Sequence, residues 1–454
     1  MQVLIVGGGL TGETLAARLS QDGQDVVVVE RDAETARRLT SALDVQVVQG
    51  SGTTSRLLRE AGIERCDVVV AITESDEANM VVAMLAANVF RVPRLLARLR
   101  DDDHAEDFQR IARERGAAYR CINPDSAAVD RILALLVVPG AIDVAPFMDG
   151  ELLVAGFRIK EGSDLAGLVV KDMSLLFANA PTLVVAIQRG ESWRVPHGEE
   201  VLAPGDIAYF AIARSNLSDV VALVRGEPLE VPDGRRRRVI VSGATRIGLE
   251  LARRLEAQEL QVVLIEQDPE SAGHAAEVLQ RTLVVRGRAT EQALLEEEEI
   301  ERTSAFVAVS TDFENNLVAG LLARRLGAER AFAVVDNPDL VHLIGEISID
   351  AIISPRLLAV SLALQHVRGG GVRTVAALLE HEIEVIEGEA AEGAKLVKRP
   401  LAEVELPRGM LVAALRREGR ILVPRGSDHV EPGDRVLVIA TSENAPRVAQ
   451  LLTS

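Results

Sequence analysis

Val3-Leu4-Ile5-Val6-Gly7-Gly8-Gly9-Leu10-Thr11-Gly12 decides the fold, together with Val26-Val27-Val28-Val29-Glu30. An apolar run of strand length leads straight into a glycine-rich turn. Apolar residues then recur at three- and four-residue spacing from Thr11 to Ser20, the mark of an amphipathic helix. Gly-x-Gly-x-x-Gly between a strand and a helix is the dinucleotide-binding fingerprint when an acid closes the second strand, here 18 residues after Gly12. Each glycine has its own task. Gly7 permits a tight turn, Gly9 lets the backbone approach a pyrophosphate, and Gly12 lets the helix pack close to the sheet. The first-turn N–H groups and the positive helix end hold phosphate. Glu30 is placed to accept hydrogen bonds from an adenosine ribose. Its charge favours NAD(H) over NADP(H), Arg31 beside it works the other way, and the same acid serves ATP or ADP. The candidate residues are Gly7, Gly8, Gly9, Leu10, Thr11, Gly12 and Glu30.

Working outward, Val45–Val48, Val68–Ile72, Leu95–Ala97 and Ala117–Cys121 also read as strands, with helical patterns over Ala33–Ala42 and Asp76–Val89. Strands apolar on both faces and separated by helices imply a parallel sheet covered on both sides, a doubly wound α/β domain. Ligands bind at the carboxyl ends of such strands. Thr73 and Glu74 follow the fourth strand; a helix N-terminal turn leading into Asp76 explains them equally well. Arg98 and Arg100 close the fifth strand, where they either reach phosphate or lie on the surface.

The chain then repeats itself. Val239-Ile240-Val241-Ser242-Gly243 and Val263-Leu264-Ile265-Glu266 echo the first two strands 236 residues later. Glu314-Asn315-Asn316 echoes Glu77-Ala78-Asn79 at 237. A shorter pattern recurs too: Val195-Pro196-His197-Gly198 with Pro204-Gly205-Asp206 returns as Val423-Pro424-Arg425-Gly426 with Pro432-Gly433-Asp434. The order is long unit, short unit, long unit, short unit. The second loop departs from the first. Gly243-Ala244-Thr245-Arg246-Ile247-Gly248 puts Thr245 where Gly9 stood, and its Cβ would crowd a pyrophosphate. Glu266 keeps the acid, Arg246 offers a charge-assisted phosphate contact, and Phe313 replaces Asp76. Gly243, Thr245, Arg246, Gly248 and Glu266 are the second set of candidates.

The short units read as α+β modules. Arg189-Gly190-Glu191 and Arg417-Glu418-Gly419-Arg420 mark hairpin turns before strands at Trp193–Val195 and Ile421–Val423, and the Pro-Gly-Asp turns feed strands at Ile207–Ala213 and Arg435–Ala440. Such modules serve ligand sensing, dimerisation or packing support.

Composition narrows the class. Of 454 residues 48% are apolar, which rules out general disorder. Aromatics are only 3% and the net charge is −18, a poor match to a nucleic-acid backbone. Two cysteines, Cys66 and Cys121, exclude a disulfide framework. No apolar run has membrane-spanning length; Ile132–Val138 stops at Pro139-Gly140. The start reads as a strand and not as a signal peptide, so a cytoplasmic protein is expected. Enzyme signatures are missing as well. Tyr119 and Tyr209 are followed four residues on by Asn123 and Ala213, so no Tyr-x-x-x-Lys pair exists. The seven histidines are scattered without metal spacing. Glu13 and Leu249 follow the last glycines where a P-loop would carry lysine.

The doubled order, with Val47-Val48-Gln49-Gly50, Leu58-Arg59-Glu60-Ala61-Gly62, Asp76-Glu77-Ala78-Asn79-Met80, Ile352-Ile353-Ser354-Pro355 and Leu364-Gln365-His366-Val367-Arg368, resembles the family that regulates potassium conductance, RCK or KTN. Within it the chain is similar to the peripheral subunits of Trk potassium-uptake systems. The resemblance implies nucleotide domains at 1–123 and 237–355, connecting helices at 124–139 and 356–369, small modules at 140–225 and 370–454, and a linker at 226–236. Arg235 to Arg238 then read as a solvated linker end, or as an anion or partner contact. It also implies a non-enzymatic regulator at the inner face of the cell membrane, bound to a TrkH-like potassium translocator and assembled as a ring, usually a tetramer. NAD(H) or adenine nucleotides would bind at Gly7 through Thr11, Glu30, Thr73, Glu74 and Arg98. The alternatives are a nucleotide sensor of another cation transporter or an NAD-dependent oxidoreductase.

Overall fold

A computed structural model describes residues 1–113, 118–177, 182–190, 192–225, 238–336, 349–368, 372–378, 383–397 and 399–453. The chain forms two compact units, one from residues 1–128 with 354–369 and the other from 129–353 with 370–454. The expected linker at 226–236 and Arg235 to Arg237 lie outside the described residues.

The first unit is built on β1 (Gln2–Val6), β2 (Asp25–Glu30), β3 (Gln46–Gln49), β4 (Val68–Ala71), β5 (Arg94–Arg98) and β6 (Tyr119–Ile122). Their order is β3-β2-β1-β4-β5-β6 and every pairing is parallel. β1 and β4 are buried almost throughout. This is why they read as uniform apolar runs: both sheet faces are covered. The topological switch lies between β1, which leads into the glycine loop, and β4.

Helices α1 (Leu10–Gln21), α2 (Ala33–Ala42), α3 (Ser55–Glu60), α4 (Asp76–Met84), α5 (Asp102–Arg113) and α6 (Pro124–Val137) connect or follow these strands. The helical pattern expected to run to Val89 ends at Met84 and continues as a π-helical turn, Leu85–Phe90. On one face Val69, Ala71 and Leu95 pack with Val82, Ala86 and Phe108. On the other, Val3, Ile5 and Leu96 pack with Leu15 and Leu19 of α1 and with Ala359, Val360, Ala363, Leu364 and Val367. Those last five belong to a helix of the chain's second half, Pro355–Arg368. Arg94, at the start of β5, fixes its end by donating to the Val367 carbonyl at 2.9 Å.

Among the described residues the second unit holds three sheets. β7 (Ala141–Phe147), β8 (Leu152–Arg158), β9 (Thr182–Arg189), β10 (Ser192–Arg194) and β11 (Ile207–Ala213) form an antiparallel sheet, accompanied by α7 (Met173–Leu176) and α8 (Leu217–Arg225). β12 (Arg238–Ser242), β13 (Gln261–Glu266), β14 (Leu283–Arg286), β15 (Ala305–Ala308), β16 (Ala331–Val334) and β17 (Ala351–Ile353) repeat the parallel order of the first unit. With them run α9 (Arg246–Ala257), α10 (Pro269–Val278), α11 (Gln292–Glu297) and α12 (Phe313–Arg325). The helix already met at Pro355–Arg368 is α13. β18 (Val372–Leu378), β19 (Ile383–Glu389), β20 (Met410–Arg417), β21 (Arg420–Leu422) and β22 (Arg435–Thr441) form the second antiparallel sheet, closed by α14 (Ala445–Thr453).

The recurrent Pro-Gly-Asp turns have a structural cause. Asp206 is clasped by Arg189 at 2.8 and 2.7 Å and accepts the Ala203 N–H at 2.8 Å. Asp434 is held in the same way by Arg417 and the Glu431 N–H. A forked guanidinium on a carboxylate fixes each turn against its hairpin. The two antiparallel sheets share one core: Phe147, Val154, Val185 and Tyr209 pack with Ile383, Val385, Leu437 and Ile439. At its edge Asp149 bridges Arg416 at 2.7 Å and Arg435 at 2.6 Å. Arg238, at the start of β12, pairs with Glu298 at 2.9 Å.

Candidate functional site

The loop after β1 is held by features that only glycine permits. Gly7 has φ +112°, and a Cβ there would lie 2.9 Å from the Thr73 nitrogen. A Cβ on Gly12 would sit 1.9 Å from the Gly7 carbonyl oxygen. Gly9 is different. Its φ is −64° and ψ −176°, an ordinary extended backbone, and a Cβ added to it would meet nothing within 4 Å. Neither backbone strain nor packing within the chain requires glycine there. Gly9 is also the N-cap of α1, yet it supplies no side-chain hydrogen bond to the helix's first turn. The helix start therefore presents N–H groups beside open space, the arrangement that accepts an oxyanion.

Glu30 locks the loop from below. Its Oε2 accepts the Gly8 N–H at 2.6 Å and its Oε1 accepts the Asp32 N–H at 2.7 Å. A carboxylate oxygen has two lone pairs, so each retains one for a ribose hydroxyl. Thr73 and Arg98 complete the wall. The Thr73 N–H and hydroxyl donate to Asn79 Oδ1 at 2.9 and 2.8 Å, and Arg98 Nη2 donates to the Thr73 carbonyl at 2.6 Å. Arg98 is only 6% exposed. Burial and then the neighbouring Arg100 lower its pKa, while Glu74 and Asp76 oppose this. Glu74 and Leu10 are exposed and Thr11 is buried under the loop. The structure thus brings Gly7, Gly8, Gly12, Glu30, Thr73 and Arg98 into one contiguous group and leaves Leu10 and Glu74 at its rim. Arg100 contributes its backbone, whose N–H donates to Asp76 at 2.7 Å.

Asn79 organises this wall although no role was read for it in the sequence. It is fully buried, and its amide nitrogen donates to the carbonyls of Thr73 at 3.1 Å and Arg98 at 2.8 Å. The signal was present in the repeat: Asn316 does the same for Ser310 and Val334, both at 2.9 Å.

The second loop uses the same scaffold with one inversion. Gly243 has φ +114°, and a Cβ on Gly248 would lie 2.0 Å from the Gly243 oxygen. Glu266 accepts the N–H groups of Ala244 at 2.7 Å and Asp268 at 2.8 Å. Thr245 does not project into open space. Its hydroxyl donates to the Val309 carbonyl at 2.8 Å and accepts the Gly248 N–H at 3.2 Å, capping α9 from within. Arg246 is exposed. Val334 stands at the hydrogen-bonding position of Arg98. Beside Glu266 a cleft of about 130 Å³ opens among Arg288, Thr290, Ser310, Asp312 and Asn315.

Comparison with known proteins follows the same doubled order. The TrkA-N domain family matches residues 3–122 and 239–355, and the TrkA-C domain family matches 154–225 and 385–453. A Trk system potassium uptake protein TrkA of Azorhizobium caulinodans is 32% identical over 455 residues, covering 99% of this chain and 98% of its own. The chain belongs to the TrkA family. The same-named protein of Halomonas elongata is also 32% identical, over 100% of this chain and 98% of its own. Among solved structures, the GsuK RCK domain aligns with TM-score 0.62 at 20% identity, covering 99% of this chain and 94% of that one. The GsuK channel bound to NAD aligns with TM-score 0.62 at 20% identity, over 99% and 78%. These likenesses show a shared fold of RCK type, with parallel and antiparallel sheets in alternation.

Proposed function

We propose that the protein is the regulatory subunit of a Trk-type potassium uptake system, binding an adenine nucleotide at the first cleft as a signal and not as a substrate. Supporting this are the family relationship and, above all, the uncapped start of α1 beside the vacant Cβ position of Gly9. NAD(H), ATP and ADP all carry the pyrophosphate and ribose that this arrangement suits. The NAD-bound GsuK channel is a precedent in a related fold. The relatives bear the name of uptake proteins, not of enzymes. Among the described residues no helix is long and apolar enough to cross a membrane. The work on potassium therefore falls to a TrkH-like membrane partner, with this subunit peripheral at its inner face.

The nucleotide would supply negative charge and a rigid adenosine. The chain's residues do the rest: α1's first N–H groups take the phosphate oxygens, Glu30 orients the ribose, and Arg98 ties the far wall to Thr73. A ligand shifts a two-state assembly only by its differential affinity. Moving a ring from about 1:99 to 99:1 takes about 5.5 kcal/mol. Shared over four first clefts of a tetramer, that is about 1.4 kcal/mol each, or about tenfold in affinity. One charge-assisted hydrogen bond is of that size.

Mass spectrometry of small molecules released from the purified protein should yield an adenine nucleotide, and titration should show Glu30→Ala weakening NADH and ATP alike by roughly tenfold to a hundredfold. Weakening of one ligand alone would reject the shared cleft. Failure to co-purify with a TrkH-like protein in any nucleotide condition would reject the regulatory reading.

A further inference from the structure

A second cavity lies in the second unit, far along the chain from either glycine loop. It has a volume of about 160 Å³ and is bounded by the end of β8, Gly140 in the turn between α6 and β7, α8, the end of α12 and the residues leading into β16 and β17. That volume corresponds to about five waters. Six charged groups line it: Arg158, Lys160, Arg324 and Arg330 against Glu329 and Asp350.

The inner pair of cations is fixed. Arg330 is 6% exposed and donates to the carbonyls of Leu135 at 2.7 Å and Leu136 at 3.1 Å. Arg324 meets Asp350 at 3.2 Å and donates to the Ala328 carbonyl at 2.6 Å. Asp350 also accepts the Ala331 N–H at 2.8 Å. The outer pair is not compensated. Among the described residues neither Arg158 nor Lys160 meets a carboxylate, and Arg158 reaches only the Gly205 carbonyl, at 3.5 Å. Four positive groups therefore face two negative ones around a hollow. Burial raises the pKa of Asp350, while the Ala331 N–H, Arg324 and Arg330 oppose the rise. Like charges gathered around a void repel one another unless an anion fills it.

We propose that this hollow is a binding site for a phosphate group, either inorganic phosphate or the phosphate of a small metabolite. The site asks for a compact dianion because the excess is two charges and Arg158, held only by the Gly205 carbonyl, presents a forked donor. Arg158 and Lys160 belong to the first antiparallel module, and Arg324 and Arg330 to the second parallel sheet. A phosphate held by both joins them, next to Gly140, where α6 gives way to β7. This reading does not depend on what occupies the glycine loops.

Inorganic phosphate and adenosine monophosphate are each titrated into the full-length protein at low ionic strength, followed by calorimetry and phosphorus NMR. Binding of at least one, weakened about tenfold or more by Arg158→Glu with Lys160→Glu, is expected. Both residues are exposed, so the melting temperature should not move. Lys160→Ala alone should weaken binding severalfold, and Lys160→Arg should retain it. If inorganic phosphate binds, the source is free phosphate; if only the monophosphate binds in this variant-sensitive way, the source is a metabolite. Absence of binding to the wild type, or binding undiminished in the double and single variants, overturns the proposal.

Discussion

The two glycine loops share a scaffold and differ at one helix cap. At α1 the cap is Gly9, which satisfies no first-turn N–H with a side chain; at α9 it is Thr245, which does. The acids, the tight glycines and the buried asparagines are the same in both. The difference separates two uses of one helix start. One half leaves its first-turn donors without a side-chain cap; the other satisfies one with its own threonine hydroxyl. The exchange extends to the wall, where Arg98 of the first half is matched by Val334 of the second.

The largest effects test what the halves share. Gly12→Ala and Gly248→Ala each force a Cβ to about 2 Å from a carbonyl oxygen. Each should cost more than about 3 kcal/mol, read by denaturant unfolding. A variant that melts like the wild type would mean that close helix–strand contact is not what the last glycine provides.

Next come the caps themselves. Gly9→Val should lower adenine-nucleotide affinity by about a hundredfold while changing stability by no more than about 0.5 kcal/mol, since Gly9 is exposed and a Cβ there meets no protein atom within 4 Å. Gly9→Thr sharpens the contrast. It imports the second half's cap, so stability should rise by about 0.3 kcal/mol, since glycine is itself a tolerated cap, as affinity falls. Calorimetry paired with thermal melts reads both. Unchanged affinity in either variant would show that phosphate does not sit at α1.

Much of this was legible in the residues. The loop, the acid and the strand runs gave a doubly wound domain, and the 236-residue echo gave its second copy. The Thr245 departure was visible, but its consequence was not. The Cβ that would crowd a pyrophosphate could be read from the residue type, but not that the hydroxyl turns inward to Val309 and Gly248. A side chain's identity does not disclose its rotamer. The role of Asn79 was hidden for a related reason: its partners are backbone groups 6 and 19 residues away, which no local pattern records. The place of α13 was illegible too. Ala359, Val360, Ala363, Leu364 and Val367 announce a helix with a buried face, but apolar periodicity does not name the sheet that covers it. α3 and α5 went unread for another reason: α3 is a six-residue helix and α5 is mostly polar, with Phe108 its one fully buried residue.

The smallest effect is a pH response of opposite sign at two partly buried groups, one in each unit. His366 on α13 lies against the first sheet, half-buried, and burial followed by the nearby Arg120 and Arg94 pulls its pKa down to about 4. The folded state therefore prefers the neutral imidazole. Between about pH 4 and the unfolded value near 6.5 the unfolded chain binds more protons, so the first unit loses stability as pH falls through that window. Asp350 in the second unit runs the other way. Burial raises its pKa above 3.8, so the folded state binds the extra proton, and that contribution is lost as pH rises through the raised value. Mild acid should therefore loosen residues 1–128 with 354–369 while sparing the region around β16. Hydrogen exchange at pH 5 and pH 7 resolves the two regions separately. His366→Gln should flatten the first unit's response without changing the second's. Equal loosening of both regions in the wild type would show that His366 does not set the difference.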